Sequence, residues 1–263
     1  VDFRRIELHN HSTESDGSLT INELATYAVQ HEFGAMVLTD HNTISGHSKL
    51  DRTIRSRSLP LEALHGLELT TYKGHILCLD LEEYIPWSDI NPKRPEILLD
   101  RVRAAGGLVG VAHPFSMGAP ISTGCEWVME INDYSRLDFI EVVNNSADLP
   151  MINALSQDWW QQLVLQGHRL AATSGIDLHR RVPMDGFFTT YLPVPHAEHS
   201  LSQLLRDAIT NQQTVVTRGP VFYGTALGDG GKLPVALQIE VRCDIDNFTR
   251  RYAALDCRDW VIE

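Results

Sequence analysis

Short apolar runs that break off into histidine, aspartate or glutamate recur along this chain, and segments of helical period separate them. "AMVLTDHN" is the plainest case, a continuous apolar run ending in Asp40-His41, as a strand buried on both faces would end. "RRIELHN", "LEALHGLEL", "HILCLDL", "LVGVAHP", "FIEVVNN" and "RLAATSGIDLH" are the other strand candidates. Between them lie "TINELATYAVQHEFG" with a stop at Gly34, the exposed "GHSKLDRTIRSRS", and "RPEILLDRVRAAGG" with Pro95 near its start and Gly106-Gly107 at its end. "ALSQDWWQQLVLQGH" and "SLSQLLRDAITNQ" complete the helices, the latter capped by Ser200 or Ser202. Strand and helix in alternation predict an α/β barrel-like domain built on a parallel sheet.

Beyond Thr214 the pattern changes. "TVVTRGPVFYGTALGDGGKLPVALQIEVRC" is Gly-rich, alternates, and carries no helix-length period, so it reads as short antiparallel strands with a hairpin turn at Gly228–Gly231. The expected division is residues 1–218 as the barrel and residues 219–263 as a short β extension packed on it.

The polar residues at the strand ends form a set. They are His9 and His11, Asp40-His41, Glu68, His75 near a strand start, His113, Asn144-Asn145, and Asp177 with His179. In α/β folds the strand C-termini converge on one face, and sites are built there. Any one of these residues alone reads more readily as a satisfied polar strand end than as a ligand, and the His9-x-His11 pair alone reads equally well either way. Asp and Asn cap turns routinely. Repetition separates the two readings: a His-x-His, a later Asp-x-His, and single His or Glu residues at the strand ends between them. A His-x-His on a strand also aims both imidazoles to one face. Imidazole and carboxylate without thiolate suit zinc, manganese or iron, and nine candidate ligands are natural for two or three divalent ions. Such a site holds a bridging hydroxide and clamps an oxyanion, which is the logic of metal-assisted hydrolysis.

Composition narrows the partners. A net charge of -12 lacks the basic footprint of a general nucleic-acid binder, so stable nucleic-acid binding is not expected. Cys78, Cys125, Cys243 and Cys257 form no C-x-x-C pair and read as thiols of a reducing, cytoplasmic setting. No apolar stretch approaches the roughly 20 residues needed to span a bilayer, and no signal-like core opens the chain.

"HNHSTESDG", "LTDHNTISGH", "HGLELTTYKGHILCL", "VAHPF" and "SGIDLH" resemble, in order and spacing, the motifs of the PHP (polymerase and histidinol phosphatase) metallohydrolases, over roughly residues 5 to 218. The resemblance implies a distorted (β/α)7 barrel. It also implies that His9, His11 and Asp177 ligate one ion, which Glu68 bridges to a second held by His75 and His113. Asp16, His41 and His179 would hold a third. On this reading the hydroxide is held by Glu68, Asp177 and His179, and Asp40 stands behind the ligands, orienting His41 or a neighbour. Relatives often carry His where this chain has Asp16, which argues against a simple histidinol phosphatase. "HPFSMGAPISTGCEW", "DFIEVVNNS" and "TVVTRGPVF" are similar to the CehA/McbA-like branch, whose members include carboxyl- and carbamate-ester hydrolases.

The leading expectation is a metal-dependent hydrolase of a small anionic phosphoester, with Arg180, Arg181 and Arg218 as candidate phosphate donors. Each arginine reads equally as a solvated loop residue or surface ion pair. A carboxyl- or carbamate-ester hydrolase would use the same metals. A non-catalytic PHP module is disfavoured because all nine ligand positions are filled, and a polymerase-associated proofreading domain by the acidic charge. The sequence leaves the oligomeric state open. His31, His47, His65, His168, His196 and His199 read as surface or capping residues, with His65 close enough to Glu68 to stand behind it.

Overall fold

The computed structural model describes residues 2–146, 150–183, 186–195, 198–218 and 221–223. The first half of the described chain comprises β1 (Asp2–Glu7), α1 (Ile21–Gln30), β2 (Ala35–Leu38), α2 (His47–Arg57), β3 (Glu62–Thr71), β4 (Gly74–Leu79), α3 (Glu96–Ala104) and β5 (Leu108–Val111). The second half comprises β6 (Phe139–Asn144), α4 (Pro150–Leu165), β7 (Ala171–Gly175), β8 (Thr189–Val194), α5 (Leu201–Thr210), β9 (Val215–Arg218) and β10 (Val221–Tyr223).

Local chemistry sets the helix starts. Thr20 and Glu23 form a reciprocal capping box at the head of α1, and the Ser200 hydroxyl accepts from Gln203 N–H at the head of α5. Ser200, rather than Ser202, is therefore the cap. Side-chain alternation then sorts the strands into two layers. Ala35 and Val37 join Ile6, Leu77, Leu79, Phe139 and Leu192 in one buried cluster, while Met36 and Leu38 pack outward with α1 and Leu50 of α2. A third cluster joins the outer face of β3–β6 to α3 and α4, including Leu98, Leu99 and Trp160.

The strands form one sheet in the order β10-β9-β8-β1-β2-β3-β4-β5-β6-β7. Seven of them, β1 to β7, make the distorted barrel, parallel throughout except at β4, which runs antiparallel to both neighbours. The sheet nearly closes on itself. Asp177 N–H donates to His9 O at 2.8 Å and His11 N–H to Leu178 O at 3.1 Å, so the exit of β7 joins the exit of β1. Beside that seam, Ser174 N–H donates to Thr190 Oγ1 of β8 at 2.9 Å. The α5 helix covers the opposite end: Ser202 Oγ donates to Asp80 Oδ2 just beyond β4, and Arg206 reaches the Asp80 carboxylate and Gly106 O.

Two elements differ from the sequence reading. No strand was expected at "TTYLPV", yet Thr189–Val194 pairs antiparallel with both β1 and β9. It lacks polar/apolar alternation because its first four residues are all buried, and Pro193 argues against a strand when read alone. The inversion of β4 also escapes the apolar pattern, which is the same for either direction. The expected antiparallel pair after Thr214 is present as β9–β10, with Val221 opposite Arg218. It carries the barrel's sheet across the expected boundary at 218/219. The Gly228–Gly231 turn, Cys243, Cys257 and the remainder of the expected extension lie outside the described residues. No helix among the described residues is long and apolar enough to cross a membrane.

Candidate metal centre

Inverting β4 has a direct effect on the site. The parallel strands bring their C-terminal ends to one rim of the barrel, and an antiparallel strand brings its start there. His75, second residue of β4, thus meets Glu68 of β3: His75 Nδ1 lies 2.8 Å from Glu68 Oε1. The turn between them is tight, with Thr71 Oγ1 donating to Gly74 O at 2.7 Å. Gly74 takes φ +131, and a Cβ there would strike the Trp127 ring.

Three groups of ligand-capable atoms surround Glu68, each spanning no more than 4.8 Å: His9, His11, Glu68 and Asp177; His11, Asp16, His41 and His179; His41, Glu68 and His75. In the first, His11 Nε2 lies 2.9 Å from Asp177 Oδ1, and His9 Nε2 3.2 Å from Glu68 Oε2. In the second, Asp16 Oδ1 lies 3.2 Å from His179 Nε2 and 3.5 Å from His41 Nε2. His113 is in none of the three, but its Nε2 is 3.1 Å from Glu68 Oε1. The grouping differs from the expected partition in two respects: His113 stands outside the group that holds His75, and His11 and His41 each stand between two groups rather than serving one. Burial grades across the cluster. The side chains of His9, His11 and Glu68 are fully buried, while Asp16 is 58% and His179 37% exposed.

The electrostatics are those of a cation site. Burial opposes ionisation of Glu68, yet His9, His75, His41 and His113 hold its pKa well below the usual carboxylate range. Asp177 is likewise held low against burial, by His9 and His11. Burial also opposes the charged imidazoles, but the carboxylates raise His9 well above the usual histidine value and His113 to about 9. Where nothing else neutralises the carboxylates, protons on the imidazoles do so. Divalent ions fit that role better. Eight buried side-chain polar atoms of the described residues have no hydrogen-bond partner, and seven belong here: His9 Nε2, His11 Nδ1 and Nε2, Glu68 Oε2, His75 Nε2, His113 Nδ1 and Asp177 Oδ1. Such atoms are costly unless a ligand takes them.

Backbone geometry supports the same point. His113 and Asp177 adopt φ +26 and +55, a region that non-glycine residues occupy mainly where surrounding contacts enforce it. Behind the ligands, Asp40 serves a neighbour rather than His41. Its carboxylate accepts Ser12 N–H, Ser12 Oγ–H and Ser15 Oγ–H, fixing the loop that carries His11 and Asp16. His41 Nδ1 instead lies 2.5 Å from Thr70 Oγ1. Asn144 donates to Asp177 Oδ2 at 3.1 Å, while Asn145 bonds Gly175 O and Phe188 O.

A cavity of about 600 Å³ opens over the cluster, lined by Asp16, His41, His75, His113, Asp177 and His179 together with Ser15, Thr70, Ser122, Thr123 and Cys125. Cys125 is half-buried in this wall with its Sγ 2.8 Å from Ser122 Oγ. Of the arginines, Arg180 is exposed directly after His179; Arg181 lies 3.4 Å from Glu23 and over the Tyr27 ring; Arg218 lies over the Phe188 ring. None of the three lines the cavity. His65 faces away from Glu68, with its ring nitrogens at Glu82 and Asp51 and His47 stacked against it. His196 lies outside the described residues.

Sequence reasoning missed Glu141. It is 1% exposed in the apolar strand β6, and its Oε1 lies 3.0 Å from His9 Nδ1. The available signal was a lone carboxylate inside "FIEVVN", where an unpaired charge would be expensive.

Comparison with known proteins bears on the family and the fold. The family described as PHP domain matches residues 7–146. The chain is 27% identical over 133 residues to the 5'-3' exoribonuclease Rnm of Escherichia coli, covering 45% of each protein. It is 32% identical over 126 residues to the phosphoribosyl 1,2-cyclic phosphate 1,2-diphosphodiesterase of Eggerthella lenta, covering 43% of this chain and 47% of that one. The chain thus spans about half the length of these curated relatives. Among solved structures, a two-domain Bacteroides vulgatus protein containing a predicted PHP-like metal-dependent phosphoesterase shares the fold with TM-score 0.65 and 18% identity, over 82% of this chain and 65% of that one.

Proposed function

The chain belongs to the PHP domain family, and on that premise we propose that it is a metal-dependent phosphoesterase acting on a small phosphoester. The observation that carries this reading is the set of buried, unpartnered donor atoms on His9, His11, Glu68, His75, His113 and Asp177. Both curated relatives are named as enzymes that cleave phosphodiester bonds, which supports phosphorus over carbon as the reacting centre.

Two to three divalent ions fit the donors, with Glu68 central and Asp16, His41 and His179 as the outer set. Zinc, manganese and iron suit nitrogen and oxygen donors of this kind. When bound, such ions polarise the scissile ester and activate water. The chain's own residues orient and enclose. Thr70 holds His41 by its Nδ1, Asp40 fixes the loop carrying His11 and Asp16, and the hydroxyls of Ser15, Ser122 and Thr123 offer neutral hydrogen bonds to a substrate. Arg180 is the candidate cation nearest in sequence to the outer ligands, while Arg181 and Arg218 are engaged elsewhere. The acidic charge favours a small substrate over a long nucleic acid. We assign residues 1–218 to the catalytic barrel and residues 219–263 to an extension of it.

One observation favours a second reading, in which a carboxyl or carbamate ester is cleaved, as the likeness to the CehA/McbA-like branch would have it. No Lys or Arg is among the described residues lining the cavity, so a neutral ester is accommodated as well as an anion. The deciding experiment joins metal analysis of the purified protein to a panel of aryl phosphates, nucleotides and aryl carboxyl esters. Phosphate release that disappears in His11→Ala and Asp177→Ala supports the first reading. Ester cleavage without phosphate release transfers the case to the second, and absence of bound metal under every preparation overturns both.

A further inference from the structure

β6 supplies no ligand to the centre, yet it touches three. Its residues Phe139–Asn144 are all buried, and its pairing with β7 shifts register between Glu141 and Val143. Residues three apart on a regular strand face opposite sides, and a bulge rephases them. Glu141 and Asn144 consequently meet, with Asn144 Nδ2 3.2 Å from Glu141 Oε2. Glu141 Oε1 then lies 3.0 Å from His9 Nδ1, Glu141 Oε2 accepts His113 N–H at 2.8 Å, and Asn144 Nδ2 donates to Asp177 Oδ2 at 3.1 Å. Gly175 makes room: a Cβ there would collide with His9 Cβ and Glu141 Oε1.

Two of these contacts occupy one side-chain atom of a ligand and leave the other, turned toward the neighbouring ligands, without a hydrogen bond. His9 is held by Nδ1 and its Nε2 has no hydrogen-bond partner; Asp177 is held by Oδ2 and its Oδ1 has none. We propose that Glu141 and Asn144 are positioning residues of the metal centre, Glu141 fixing His9 in the tautomer that presents Nε2 and Asn144 fixing the Asp177 carboxylate so that it presents Oδ1. A carboxylate accepts but does not donate, so beside it the imidazole carries its proton on Nδ1 and its lone pair on Nε2. Glu141 also ties the backbone of His113 to the same carboxylate, so one side chain registers ligands from two strands. The inference rests on the metal-centre reading, and its test separates the two.

Apoprotein is prepared by chelation, and zinc affinity is measured by competition with a chromogenic chelator for wild type, Glu141→Gln, His9→Ala and the double variant. Glu141→Gln keeps size and shape, but its amide can donate to Nδ1 and select the opposite tautomer. Zinc affinity is expected to fall about 10- to 100-fold in Glu141→Gln. Circular dichroism of the apoprotein checks that each variant keeps the wild-type fold. In the His9→Ala background the same substitution should cost much less, and Asn144→Leu should lower affinity while His9 is intact. Wild-type affinity in Glu141→Gln, or an undiminished loss without His9, overturns the positioning role. Failure of wild type itself to bind zinc, manganese or iron overturns the metal-centre reading and this inference with it.

Discussion

Asp40 grips Ser12 at two points, accepting its backbone N–H at Oδ1 and its hydroxyl at Oδ2, both at 2.7 Å. With Ser15 Oγ as third donor, at 2.6 Å, the carboxylate organises the loop between His11 and Asp16 without facing the cavity. Asp40→Ala leaves these three donors without their acceptor. It should destabilise the fold by about 1–3 kcal/mol and reduce metal content in parallel. Thermal melts with metal analysis check this, and unchanged stability would mean that the loop holds itself.

Metal and stability are linked. Because seven buried donor atoms lack partners, a divalent ion that binds only the folded chain stabilises it, by about 2.7 kcal/mol at 100-fold excess over its Kd. Melting temperature should rise on titrating zinc or manganese into chelated protein. The rise should vanish in Asp177→Ala.

Glu7 predicts a pH effect of definite sign. Burial raises its pKa to about 8, although the N–H groups of Ile176 and His9 that its Oε1 accepts pull the other way. In the folded chain it binds a proton that the unfolded chain releases above pH 4.5, so its contribution to stability is lost as pH rises from about 4.5 to 8. Glu7→Gln retains the acceptor and does not titrate. Its stability relative to wild type should grow across that window, reaching at most roughly 5 kcal/mol, and level off above it. Urea denaturation of the chelated proteins at about pH 5, 7 and 9 measures the difference. A constant difference would refute the assignment.

Gly17 admits no side chain. A Cβ would overlap the backbone carbonyl of His11, which cannot swing aside as a flexible side chain could. Gly17→Ala should cost about 1–3 kcal/mol and displace Asp16. Metal stoichiometry should fall with it, whereas intact stoichiometry would argue against Asp16 as a ligand.

Most of the candidate ligands were legible because they stand at or near strand ends, where a polar residue interrupts an apolar run, whereas Asp16 lies in the loop beyond His11 and was assigned only through the resemblance to the PHP motifs. His75 was readable only as lying near a strand start, since the apolar pattern of "HILCLDL" carries no direction. Its place beside Glu68 follows from the antiparallel pairing of β3 and β4. Asp40 was legible as a supporting residue, but not which neighbour it supports, because that depends on how the loop beyond His11 folds back. Glu141 and Asn144 were hidden for a different reason. Strand periodicity sets them on opposite faces, and only a bulge in register with β7 unites them. β8 was missed because burial of its leading residues erases alternation.

A two-residue turn joins Glu68 to His75, whereas His9 and Asp177 meet only when the first and last barrel strands come together. Chain closure over seven residues is fast and entropically cheap, and closure across most of the chain is neither. The centre therefore divides into a local half, held on one hairpin by a short loop, and a distant half, held only by closure of the barrel at its seam. A change that opens the seam takes His9 and Asp177 away from each other and leaves Glu68 and His75 together on their hairpin.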